Sequence, residues 1–121
     1  MILNEPETHL ADDIVVPDLG GWRRETLPRL PDAASLAVAP DWVCEVTAPS
    51  TRALDRGAKL EVYQREKVSY VWLVEPLDQF LEVLRLDGKT YRIIQRAYGH
   101  APARLQPFHA IELDMSALWA R

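Results

Sequence analysis

Three residues of this chain could do chemistry together: Asp18, Glu45 and Lys59. Glu45 is the charged residue of the run Trp42-Val43-Cys44-Glu45-Val46-Thr47, and a carboxylate in an apolar strand is costly unless something pairs with it. Asp18 sits in a second apolar run, Ile14-Val15-Val16-Pro17-Asp18-Leu19. Lys59, one of three lysines with Lys67 and Lys89, follows in the segment after Glu45. Two acids suffice to bind Mg²⁺, which commonly takes one or two carboxylates and completes its shell with waters and substrate oxygens. Such a cation neutralises a phosphate and lowers the pKa of an attacking water. An ammonium beside it can orient that water or stabilise charge developing in the transition state. The chemistry open to this set is phosphodiester hydrolysis.

Each residue also has a plainer explanation. Asp18 alone reads as a strand-end turn residue, and Lys59 alone as an i, i+4 partner of Asp55 on a helix face. Glu45 is harder to dismiss, because its burial needs a partner. Asp41, in a second Pro-Asp dipeptide, competes with Asp18. At about 3.3 Å per residue, however, Asp41 and Glu45 stand roughly 13 Å apart along one strand, too far to share one cation. Asp32, also after a proline, falls in a loop and reads as turn chemistry. Arg23, Arg24 and Arg29 lie close in sequence to Asp18 and are either solvated or available to a phosphate backbone. His9, His100 and His109 are scattered without metal-ligand spacing. Trp22, Trp42, Trp72 and Trp119 suit core packing better than base stacking.

The elements that must position these residues can be read from pattern. Residues 1–12 look weakly ordered, an edge strand or extended arm. Ile14 to Val16 form a β-branched strand that Pro17 closes, which places Asp18 near its end, and Gly20-Gly21 break it. Trp22 to Pro40 read as a long loop with a helical turn, interrupted by Pro28, Pro31 and Pro40. Trp42 to Thr47 are hydrophobic enough to be buried on both faces. Pro49 ends that strand, Ser50 or Thr51 can cap a helix running to about Glu66, and Asp55, Lys59 and Tyr63 share one face of it. Gly57 inside the helix hints at close backbone packing. Tyr70 to Val74 form a further strand. Phe80 to Leu86 and Thr90 to Ala97 flank Asp87-Gly88 as a hairpin. Pro102 to Phe108 suggest a short strand, and Asp114 a cap for a C-terminal turn. The sum is a single α+β domain over residues 1–121, a mixed sheet carrying one long helix.

Composition narrows the function classes. The chain has 121 residues, 48% hydrophobic and 26% charged, with net charge −4, ordinary for one globular core. That charge excludes a general backbone-coating nucleic-acid binder, which needs a large cationic excess. Of 14 cationic residues three are lysines, leaving eleven arginines, a bias suited to bidentate phosphate recognition. Lone Cys44 cannot form an intrachain disulfide, no apolar run has membrane-spanning length, and the N-terminus lacks a signal-peptide pattern. A cytoplasmic protein with no membrane association is expected.

The segments VPDLGGWRRETLPRLPD and APDWVCEVTAPSTRALDRGAKLEVYQREKVSYVWLVEP, with the PFHAIELDMSALW tail, resemble the Uma-two family of restriction endonucleases, a branch of the PD-(D/E)XK nuclease superfamily. The resemblance implies the restriction-endonuclease-like αβββαβ core. It makes Asp18 and Glu45 the metal-binding acids for Mg²⁺ or Mn²⁺, Lys59 the catalytic lysine, and Arg23 and Arg24 contacts to a nucleic-acid substrate, DNA being expected. Two departures accompany it. Thr47 stands where the superfamily's lysine usually lies, two residues after the second acid, so the lysine must reach in from the helix. The chain also opens almost at the family's second strand, so the core is expected to be short at its N-terminus, with a bare sheet edge open to homodimer formation. The function expected is a divalent-metal-dependent endonuclease; its rival is a catalytically inactive scaffold acting through dimerisation.

Overall fold

The structure, a computed structural model, describes residues 1–29, 35–47 and 52–119. The expected strand stop at Pro49, the cap at Ser50 or Thr51 and the turn at Asp32 lie outside the described residues, as does the side chain of Asp55. The strands are β1 (Ile2–Asn4), β2 (Glu7–Leu10), β3 (Asp13–Val15), β4 (Leu19–Gly21), β5 (Ser35–Leu36), β6 (Trp42–Val46), β7 (Tyr70–Glu75), β8 (Phe80–Asp87) and β9 (Thr90–Tyr98). The helices are α1 (Arg52–Arg65) and α2 (Ser116–Trp119). Six strands form one mixed sheet in the order β1-β4-β6-β7-β8-β9, and β3-β2-β5 form a second, smaller sheet.

Strands β6 and β7 are the parallel pair of the larger sheet, and parallel neighbours need a crossover; α1 lies in that connection. Both central strands read as continuous apolar runs because both faces are covered. On one face Val43, Val71, Leu73 and Leu84 pack with Tyr63, Leu60 and Val62 of α1 and with Leu10 and Val15 of the small sheet. On the other, Trp42, Cys44, Trp72 and Val74 pack under Leu105, Met115 and Trp119 of the C-terminal segment. Trp42, Trp72 and Phe108 meet there edge to face with centroids 5.1–5.7 Å apart, a favoured aromatic geometry. The tryptophans are core residues, as their sequence context suggests. Because side chains alternate along a strand, Glu45 shares the α1 face with Val43.

Strands β8 and β9 form the expected hairpin, with Asp87 opposite Thr90 and Gly88 at φ +67° in the turn, a value an L residue with a Cβ seldom adopts. Asp114 caps α2, its Oδ1 accepting from the Ser116 N–H at 3.1 Å. Among the described residues no helix is long and apolar enough to cross a membrane.

Several expectations are corrected. Residues 1–12 are ordered, and of the two expectations for them the edge strand holds: β1 is the end strand of the large sheet, and β2 belongs to the small one, each only three or four residues long. Strand β1 pairs with β4 and is itself the edge strand at that end of the large sheet. Asp18 does not close β3; it stands where the chain leaves the small sheet and enters β4 of the large one. Gly20 and Gly21 do not break a strand but form it, since a Cβ on Gly21 would lie 2.9 Å from the Trp42 ring and one on Gly20 3.0 Å from Pro6. Residues 102–108 form no strand, only an isolated bridge from Ala103 to Leu113, because their apolar side chains are spent covering the sheet face. Gly57 is exposed, and a Cβ there would meet nothing within 4 Å, so close packing does not explain it.

Candidate active site

The antiparallel register of β4 and β6 pairs Leu19 with Cys44, and one step further along it Asp18 and Glu45 come together. Each carboxylate closes the other strand's ladder. The Asp18 N–H donates to Glu45 Oε1 at 3.0 Å, and the Val46 N–H donates to Asp18 Oδ2 at 2.6 Å. Helix α1 crosses this corner. Lys59 and Tyr63, one helical turn apart, both point at Glu45: the Lys59 ammonium stands 2.8 Å from Oε2, and the Tyr63 hydroxyl donates to the same oxygen at 3.3 Å. The ammonium also donates to the Val16 carbonyl at 3.1 Å, which ties α1 to the chain just before Asp18.

These residues line a cavity of about 120 Å³ together with Val46, Thr47, Leu60 and Leu73. Glu45 is buried and Tyr63 fully so, while the Lys59 side chain keeps 31% of its surface exposed. Burial pushes the Glu45 carboxyl above the ordinary 4.5, against the opposing pull of the Lys59 hydrogen bond and charge. Burial and the neighbouring Glu45 charge push the Tyr63 hydroxyl far above its usual range, so it stays a protonated donor. An apolar wall beside paired charges is how a fold keeps charge where water would otherwise screen it.

Asp18, Glu45 and Lys59 are thus brought into one pocket. Thr47 also lines it, its backbone N–H and hydroxyl both bonded to the Val74 carbonyl, and the ammonium arrives from α1 rather than from that position. Arg23 and Arg24 are exposed and are not brought to the pocket. Strand β4 carries the chain away from Asp18 and ends at Gly21, so at about 3.3 Å per residue Arg23 lies up to roughly 16 Å from Asp18. There the Arg23 N–H donates to Asp41 Oδ2 at 2.6 Å and the Thr26 hydroxyl to Asp41 Oδ1 at 3.2 Å. Asp41 therefore organises a turn at the opposite end of β6 from Glu45. Tyr63 is the pocket residue that sequence reasoning assigned no role, although its i+4 spacing from Lys59 was the available signal.

The donor set fits a small, hard cation: two carboxylates face one cavity, and Mg²⁺ or Mn²⁺ takes oxygen ligands and readily keeps waters for the rest. Among the described residues no group of three or more His, Cys, Asp or Glu side chains is placed to hold a metal.

Comparison with known proteins bears on the fold and the family. A structure from Anabaena variabilis ATCC 29413, described as "a putative nuclease belonging to DUF820", superimposes with a TM-score of 0.73 at 20% identity, over 98% of this chain and 66% of that one. This chain therefore spans slightly less than two thirds of that protein, and the likeness is one of fold. No protein of curated function matches. The Uma2 family, described as "Putative restriction endonuclease", matches residues 4–116, and a match over almost the whole length makes this chain a member of that family.

Proposed function

We propose that the protein is a divalent-metal-dependent endonuclease that hydrolyses phosphodiester bonds of nucleic acid, DNA being the substrate expected. The observation that carries this reading is the meeting of Asp18, Glu45 and Lys59 in one partly enclosed cavity, built from two strands and a helix that approach each other only in the folded chain. Asp18 and Glu45 would hold Mg²⁺ or Mn²⁺. When bound, the cation would supply charge neutralisation at the phosphate and a more acidic water.

The chain's own residues have separable tasks. The backbone N–H groups of Asp18 and Val46 fix the two carboxylates, so little reorganisation remains when charge appears between them. Lys59 is anchored at its stem in α1 but partly exposed at its side chain, so its ammonium can serve Glu45 and also face a phosphate. The apolar walls formed by partly buried Leu60 and buried Leu73 exclude bulk water from one side. Arg23 and Arg24 would contact backbone phosphates away from the scissile bond; a separation of up to roughly 16 Å corresponds to at most about five base-pair steps at 3.4 Å each. Losing them should weaken substrate binding rather than slow the chemical step.

The test is Mg²⁺- or Mn²⁺-dependent cleavage of plasmid DNA by wild type, Glu45→Ala and Lys59→Ala. Metal-dependent cleavage that falls on the order of 100-fold or more in both variants is expected, the usual cost of one lost transition-state electrostatic contact. Equal activity in wild type and variants would remove these residues from the site. No activity in any form would favour the inactive scaffold.

A further inference from the structure

Glu45 Oε2 is held twice, and the two holders differ in kind. Lys59 reaches it through four methylenes and remains partly exposed. Tyr63 reaches it through a rigid ring with no exposed surface. A buried hydroxyl is costly without an acceptor, and the acceptor this one has is the carboxylate. At 3.3 Å the contact is longer than the usual O–H···O distance of about 2.7–2.8 Å, as expected where an ammonium already occupies the same oxygen at 2.8 Å. If Lys59 turns toward a cation-bound phosphate, Tyr63 and the Asp18 N–H remain as the groups that keep the Glu45 carboxylate aimed into the cavity.

We infer that Tyr63 is the positioning residue of the cation site: its hydroxyl orients Glu45 from outside the coordination shell and thereby sets cation affinity. The inference rests on the metal-binding reading of Asp18 and Glu45 given above. Groups that hydrogen-bond a ligating carboxylate typically change metal affinity by about 10–100-fold when removed. Tyr91 provides an internal control. Its hydroxyl donates to the Val68 carbonyl at 2.6 Å against the same side of the sheet, but it does not line the cavity.

The experiment is Mn²⁺ binding followed by electron paramagnetic resonance on the full chain, with wild type, Tyr63→Phe and Tyr91→Phe, each checked for a cooperative unfolding transition. Tyr63→Phe keeps the ring and removes only the hydroxyl. The expected result is Mn²⁺ affinity about 10-fold weaker in Tyr63→Phe and unchanged in Tyr91→Phe. Equal affinity in wild type and Tyr63→Phe, or equal losses in both variants, would overturn the inference while leaving the metal site in place. Failure of wild type to bind Mn²⁺ would overturn the metal reading, and this inference with it.

Discussion

Replacing Lys59 by methionine keeps most of the stem and removes the ammonium, so it isolates the charge that Glu45 sees. If Lys59 merely paired with a residue of its own helix, the loss would be about 0.3–0.5 kcal/mol. Breaking a fully buried ion pair costs about 3–5 kcal/mol, because a charge is left uncompensated. Lys59 falls between these limits. Its partner's side chain is 8% exposed and its own 31%, and it also donates to the Val16 carbonyl. A single hydrogen bond to a charged group contributes about 1.5–3 kcal/mol, which after partial solvent screening places the expected loss at about 2 kcal/mol. For a chain of this length, with unfolding entropy near 2.1 cal/mol/K per residue, that corresponds to a fall in Tm of roughly 8 °C. The assay is urea unfolding of wild type, Lys59→Met, Glu45→Gln and the double variant at neutral pH. The lysine's loss should cost much less in the Glu45→Gln background, where no buried charge is stranded. A cost of about 0.5 kcal/mol or less in the wild-type background, or the same cost in both backgrounds, would refute the pairing as the source of the effect.

Two further outcomes follow from the same structure. The folded-state pKa of Glu45 is raised by burial, so the folded protein retains this proton where the unfolded chain has lost it, and stability should decline as pH rises from about 4.5 through the raised folded value; pH-dependent urea unfolding should show that decline in wild type and lose it in Glu45→Gln. The glycines should separate by location: Gly57→Ala, with an unobstructed exposed helix site, should stabilise by about 0.5–1 kcal/mol, whereas Gly21→Ala, driven against Trp42, should destabilise by about 1–3 kcal/mol, both read by thermal unfolding.

What could be read in advance depended on how local its physical cause is. Glu45 was legible because an unpaired charge is conspicuous in an apolar strand, and the strand's burial on both faces was written in its lack of alternation. The β8–β9 hairpin was legible because Asp87-Gly88 fixes its own turn. Asp18 was found as a residue but misplaced in the fold, since nothing near it marks the passage from one sheet to another. Gly20 and Gly21 were misread because their requirement comes from Pro6 and Trp42, which approach only after folding. Strands β1 and β2 were only partly legible, as one possible edge strand, because strands so short carry no period; β1 depends on a partner from a distant segment, and β2 pairs with its chain neighbour β3 and with distant β5. Arg23 and Arg24 are close to Asp18 in sequence, but the chain leaves Asp18 through β4 and places them beyond its far end. Tyr63 lay one turn from Lys59, but its shared oxygen on Glu45 exists only where the helix meets the strand.

The measurement that bears most directly on the proposed function is a crystal of this protein soaked in Mn²⁺ and inspected for anomalous scattering. One manganese peak is expected in the cavity bounded by Asp18, Glu45 and Lys59, within about 2.0–2.3 Å of an oxygen from each carboxylate, distances typical of hard oxygen ligands around a small divalent cation. A cavity without manganese at saturating concentration, or a peak bound only elsewhere on the molecule, would contradict the metal-dependent nuclease reading.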